Sequence, residues 1–309
     1  MAKDRMTEAF WPSILLSETH FPYSSQRGVI AEAVARVVEQ GFYRSVDIGY
    51  VAEAADRRRI GELVRANDLL LTQWTSMVLT AEKLNLSSPD EELRARSVGR
   101  VKACIEPAVE CGASGFAVLS GPDPGPALRA EATDQLVRSL LELGEALACV
   151  SSIRLVLEPL DRGAHKNALI GPTSESIALM NRIRPRYPDA GLSWDTAHAA
   201  LCGEDILESL AGAVPYIAEI HLANAVLDRR EPDFGDHHMA FGARGFLNVE
   251  RIAALFERAV EAGLFFKRKP CVAVEIRTGP GADPWATEAQ GRRILTDAWG
   301  LFQSRRPGI

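Results

Sequence analysis

Eight short apolar runs, each followed by a stretch of helical period, divide this chain from end to end, and few architectures accept so regular an alternation. The runs cover 12–16, 44–48, 69–74, 115–119, 154–160, 191–194, 217–223 and 271–276 and read as strands. Segments such as 27–39, 91–109, 132–147, 174–183, 249–261 and 288–299 place apolar residues three and four apart, as amphipathic helices do. Eight β/α units in 309 residues predict a (β/α)8 barrel, which typically takes ~250 residues. A doubly wound open sheet would carry a Gly-rich turn after its first strand, and none follows here. With no Pro/Ser-rich linker and no shift in composition, residues 1–309 read as one domain. Helix punctuation agrees. Ser88-Pro89-Asp90 before Glu91, and Asp283-Pro284, open helices, while Gly41, Gly112 and Gly263 close them.

Four of the last strand runs carry an ionisable residue at or just beyond their C-terminal ends: Glu158, Asp195, His221 and Glu275. An unpaired buried carboxylate is costly, so such groups are paired, hydrogen-bonded or on a metal. Two Glu, one Asp and one His make a ligand set for a single divalent cation. In a barrel the C-terminal strand ends share one rim, so strands five to eight would deliver all four to one mouth. Each residue alone has a plainer reading. Glu158 could pair with Arg154 or Arg162, Asp195 could cap the next helix, His221 could be a hydrogen-bonded core residue, and Glu275 could pair with Arg277. Four successive strand ends favour the shared site.

Alternation along the strand sets Trp194 and Asp195 on opposite faces, and puts the guanidinium of Arg277 on the face of Glu275, near the cluster. Glu219 shares the face of His221 one layer deeper and receives no role. His198 follows Asp195 by three residues, where strand turns into helix. The connection 228–248 is long for a βα loop and holds Asp236, His237 and His238, then Gly242 and Gly245. Long loops in compact domains tend to be functional. Trp74 reads equally as a pocket wall or as packing between strand three and a helix.

Charge narrows the field further. The formal net charge is −6 and the chain has no basic run beyond Arg57-Arg58-Arg59, which reads as a solvated helix face, so nucleic acid is not an expected partner. No apolar stretch is long enough to span a membrane, and MAKDRMTEAFWPS lacks the apolar core of a signal peptide. The five cysteines form no C-x-x-C pair and read as buried, reduced thiols of a cytoplasmic protein.

The order Glu158, Asp195-x-x-His198, His221, Asp236-x-His238 with Gly242 and Gly245, then Glu275, resembles the xylose isomerase-like barrel superfamily. That group holds sugar isomerases and epimerases, hydroxypyruvate isomerase and endonuclease IV. The likeness spans the architecture from about residue 10 to about residue 300, and motifs from 154 onward. The resemblance implies one divalent ion on Glu158, Asp195, His221 and Glu275, with Mn²⁺ foremost and Mg²⁺, Co²⁺ or Zn²⁺ as alternatives. It implies that His198 contacts substrate. Arg277, Asp236, His238 and Trp74 join it as candidate substrate contacts. The stretch Glu158-Pro159-Leu160-Asp161 leading to Asn167 is similar to the family's loop after strand five, which adds Asn167.

Endonuclease IV resembles this chain at Asp236-x-His238 but needs further histidines from strands three and four. Gln73-Trp74 and Ser120-Gly121-Pro122 stand there instead, so a trinuclear zinc cluster lacks ligands. The strand-seven motif also departs from the family, with Asn224-Ala225 where a polar acidic turn is common.

The resemblance therefore implies a metal-dependent isomerase or epimerase of a small keto sugar or sugar phosphate. Glu158 and Glu275 would exchange the proton of the carbon between carbonyl and hydroxyl, through an enediolate. A lyase or dehydratase using the same site, with His198 or His238 as acid, stays open. So do, further off, an endonuclease-like phosphodiesterase and a non-catalytic sugar-binding barrel. The expected partner is a small carbohydrate, and a homo-oligomer is open.

Overall fold

The computed structural model describes residues 2–150, 153–242 and 244–306. Its strands are β1 (Trp11–Ile14), β2 (Ser45–Ile48), β3 (Leu70–Trp74), β4 (Gly115–Leu119), β5 (Arg154–Glu158), β6 (Gly191–Asp195), β7 (Ile217–Ala223), β8 (Ala225–Val226), β9 (Gly235–Asp236) and β10 (Cys271–Glu275). Eight of them form one parallel sheet in the order β1-β10-β7-β6-β5-β4-β3-β2. The two ends meet through a parallel bridge between Leu15 and Asp47 and a hydrogen bond from Arg44 N to the Pro12 carbonyl (2.9 Å). A nearly closed (β/α)8 barrel results, and the eighth barrel strand is β10. β8, directly after β7, and β9, in the long 228–248 connection, make a small antiparallel ladder.

Outward residues of the strands join the two main cores under the helices: Val46, Ile48, Leu71, Phe116, Leu155 and Leu157 in one, Trp194, Ile220, Leu222, Val272 and Val274 in the other. Trp194 also donates to Ser209 Oγ (2.9 Å), which leaves its neighbour Asp195 facing the axis. The barrel interior holds a smaller apolar group of Leu15, Trp74, Ala117, Val156 and Ala218. Between β6 and β7 the register shifts: Leu192 pairs with Ile217 but Ser193 with Glu219, so Ala218 is an extra residue. This irregularity lets Ile217 join the outer core while Glu219 and His221 both face inward.

Asp90 caps its helix by accepting from Glu92 N (2.9 Å) and Leu93 N (3.4 Å), a contact worth ~1 kcal/mol. Gly41, Gly112 and Gly263 have φ of 59°, 74° and 76°, as helix-closing left-handed residues. The expected helix 91–109 is broken into Glu91–Lys102 and Ile105–Glu110. Pro107 is the cause, since it has no N–H and its ring would strike the carbonyl of Ala103 in a continuous helix. Among the described residues no helix is long and apolar enough to cross a membrane.

Candidate active site

Glu158, Asp195, His221 and Glu275 end or nearly end four neighbouring strands, so the sheet itself brings them to one rim. All four are buried, with exposures of 7%, 2%, 1% and 5%. One ligand atom from each lies within 4.8 Å of the others. His221 Nδ1 is 3.0 Å from Glu275 Oε2 and 3.3 Å from Glu158 Oε1. Asp195 uses Oδ1 to accept from His198 N (2.8 Å), capping the helix Thr196–Leu201, whereas its buried Oδ2 has no partner. None of the four pairs with a lysine or arginine among the described residues: Arg162 is taken by Glu175, and Arg154 stands at the far end of β5.

Such crowding of acids shows in their proton affinities. Burial works to raise the pKa of Glu275, but His238 and His221 outweigh it and hold the carboxyl well below its ordinary value. Burial pushes Asp195 up to about 7, against the pull of His198 and with help from Glu275 and Glu158. Burial opposes charge on His221, yet Glu158 and Glu275 carry its pKa well above 6.5. Three carboxylates and an imidazole gather positive charge from any source, including their own protons. The bare Asp195 Oδ2 and the close-set ligand atoms fit a divalent cation.

Around the quartet, His238 Nδ1 lies 2.8 Å from Glu275 Oε1, and His198 Nε2 lies 3.8 Å from Asp236 Oδ2. Asp236 is buried and accepts from His238 N (3.0 Å). The Trp74 ring leans on His221 at 5.0 Å between centroids, which settles its place inside the barrel rather than under a helix.

Two expected contacts are placed elsewhere. Arg277 lies beyond the end of β10, where strand alternation no longer governs it. It bonds Glu18 (Nε–Oε2, 2.6 Å) and lies over the Phe21 ring, at the rim. Asn167 has φ 52° and is exposed, with its amide turned back to the His165 carbonyl (3.1 Å). Its neighbour Lys166 points inward instead, with Nζ 3.0 Å from Asp236 Oδ2.

The family model of the xylose isomerase-like TIM barrel matches residues 29–291. The chain belongs to that family. Solved structures agree on the fold. An L-ribulose 3-epimerase superposes with a TM-score of 0.72 at 15% identity, covering 96% of each chain. A 3-keto-D-glucoside 4-epimerase from E. coli gives 0.68 at 15%, covering 93% of this chain and 99% of its own. An IolI protein with a bound zinc atom gives 0.70 at 14%, covering 95% and 99%. No curated protein matches by sequence.

Within this xylose isomerase-like barrel, three inward groups went unseen in the sequence. Lys166 sits on a loop where no period marks direction. Asp161 is wholly buried and gathers that loop, accepting from His165 N (2.5 Å) and Lys166 N (3.0 Å), with His198 Nδ1 3.4 Å away. The Asp161-x-x-x-x-Lys166 spacing was the available signal. Asp47 lies below the quartet beside Glu219, and both face His221 Nε2, at 3.8 and 3.9 Å. Burial first, then their mutual repulsion in the case of Asp47, raises both acids above their ordinary values. The thiols also differ from expectation: Cys104 and Cys111 are buried, but Cys149 is exposed near the end of the helix Arg129–Val150.

Proposed function

We propose that this protein is a divalent-metal-dependent epimerase or isomerase of a small keto sugar or sugar phosphate. The carrying observation is the buried quartet, whose ligand atoms converge within 4.8 Å with Asp195 Oδ2 left bare. The epimerases among the structures of like fold support the same class of substrate. Glu158, Asp195, His221 and Glu275 would hold the ion, which supplies Lewis-acid polarisation of a carbonyl and its neighbouring hydroxyl.

The chain's own groups account for the rest. Glu158 and Glu275 come from strands on either side of β6 and β7, so a substrate carbon between them meets one carboxylate on each face. One removes the proton and the other returns it, which epimerisation requires. Trp74 forms an apolar wall beside His221. Lys166, Asp236 and His198 form a polar line with spacings of 3.0 and 3.8 Å, suited to orienting hydroxyl groups. Burial opposes charge on His198, but Asp195 and Asp161 outweigh it and raise its pKa to about 10.

Deuterium exchange on a keto-sugar panel in D₂O tests the assignment. Glu158→Gln and Glu275→Gln should each slow exchange at the reacting carbon by roughly 10²-fold or more. In parallel, Mn²⁺ should raise the melting temperature of the wild type and fail to do so for His221→Ala. Exchange at the wild-type rate in both Gln variants would remove the glutamates from the chemistry. A product short of one water would place the reaction among the lyases.

A further inference from the structure

A large cavity lies at the other end of the barrel. It measures about 700 Å³, and its lining includes the first residue of seven barrel strands, from Trp11 of β1 to Cys271 of β10. Small side chains let it penetrate: a Cβ on Gly191 would come within 2.7 Å of that of Ala218, and one on Gly115 within 2.8 Å of Thr72 Oγ1. Its inner wall reaches Glu219, one layer below His221.

Five cations surround this cavity: Arg154, Arg184, Arg186, Arg268 and Lys269. They come from three separate stretches of sequence, at 154, 184–186 and 268–269, in a chain whose net charge is −6. Asp189 and Glu219 are the acids in the lining, and none of the five cations forms an ion pair with a carboxylate among the described residues. Arg184 is fixed in place, donating to the carbonyls of Pro188 (2.8 Å) and Pro215 (2.7 Å) and stacking 5.3 Å over Tyr216. Lys269 Nζ sits 3.4 Å over the Trp11 ring. Burial, then the charges of Arg184 and Arg154, lowers the pKa of Arg268, so its guanidinium lies within reach of the other two charges. Asp189, Glu219 and Glu8, which acts on Lys269, offset only part of this charge, and like charges held together destabilise a fold unless something neutralises them.

We propose that this basal cavity is a binding site for a small multivalent oxyanion, taken up by Arg154, Arg184 and Arg268. Guanidinium forks match phosphate and carboxylate oxygens two at a time, and a ligand with two or more anionic groups engages several at once. The volume lies within the range of small-molecule sites. The site is separate from the quartet and does not depend on the proposed sugar chemistry.

The test uses inorganic pyrophosphate, with citrate as a second arm and NaCl at matched ionic strength as control. Isothermal titration and thermal shift should show saturable binding of pyrophosphate to the full chain, with no equivalent response to NaCl. Citrate binding of similar strength assigns the site to multivalent oxyanions in general, and silence of citrate narrows it to phosphates. Arg268→Gln, at an exposed position, should weaken binding at least tenfold, and Arg154→Ala/Arg268→Gln should abolish it. The Mn²⁺ response of both variants should stay as in the wild type, which shows that they are folded. No saturable response in the wild type, or undiminished affinity in the double variant, would overturn the proposal.

Discussion

Asp195 puts its two carboxylate oxygens to different uses. Oδ1 holds the first turn of the next helix through His198 N, and Oδ2 is bare in the quartet. An amide keeps the first use and loses the charge that the second needs. Asp195→Asn should therefore melt within about 1 kcal/mol of the wild type, while Asp195→Ala loses the cap as well and falls by a further ~1 kcal/mol. Neither should copurify with stoichiometric metal. Equal melting of the two variants would show that the cap is not worth its place. At this scale the sequence exposes a residue's chemistry better than its direction. The quartet was legible because strand ends impose a direction. Lys166 and Asn167 differ by one position on a loop, and the turn at φ 52° decides which points inward. Arg277 was misplaced for a related reason, since the alternation that aims Glu275 stops there.

The strands were legible as elements because apolar runs bounded by polar helices leave little choice, and β4 and β7 fall where the pattern set them. The helix break was available in Pro107 but masked by the apolar period that continues across it. The extra residue at Ala218 leaves no mark on composition, because Ile217 and Ala218 are both apolar and only the register tells them apart. Packing between helices is equally silent in sequence. Gly61 and Gly99 both occupy helix interiors. A Cβ on Gly61 would overlap the carbonyl oxygen of Glu110 on the crossing helix, whereas nothing lies within 4 Å of one on Gly99. Gly99→Ala should accordingly stabilise by roughly 0.4–1 kcal/mol through the unfolded chain. Gly61→Ala should destabilise by roughly 1–3 kcal/mol as the helices part. Urea midpoints of the two variants measure both signs, and a stabilising Gly61→Ala would contradict the close crossing.

Across the whole molecule the ionisable groups are sorted along the barrel axis. Acids and imidazoles crowd the C-terminal mouth, a group of cations lines the base, and Asp47 with Glu219 lies between. The mouth was legible because its residues end successive strands. The base was not, because its cations are scattered from 154 to 269 and meet only when the barrel closes. This sorting makes stability depend on pH at both ends. Burial disfavours charge on Asp161, but His198 and the N–H groups of His165 and Lys166 together hold its pKa below the ordinary 3.8. His198 in turn is raised from 6.5 to about 10. A depressed carboxyl contributes its stability in full above the unfolded value and loses it as pH falls through the folded one. A raised imidazole contributes in full below 6.5 and loses it as pH climbs through about 10. Their pairing is thus complete only between about pH 4 and about pH 6.5. In metal-free protein, Asp161→Asn should cost roughly 3 kcal/mol within that window, the scale of breaking a buried ion pair. The gap in urea midpoint between variant and wild type should narrow below about pH 4 and again on approach to about pH 10. A gap that stays constant across the range would mean that Asp161 acts through loop packing and not through its charge.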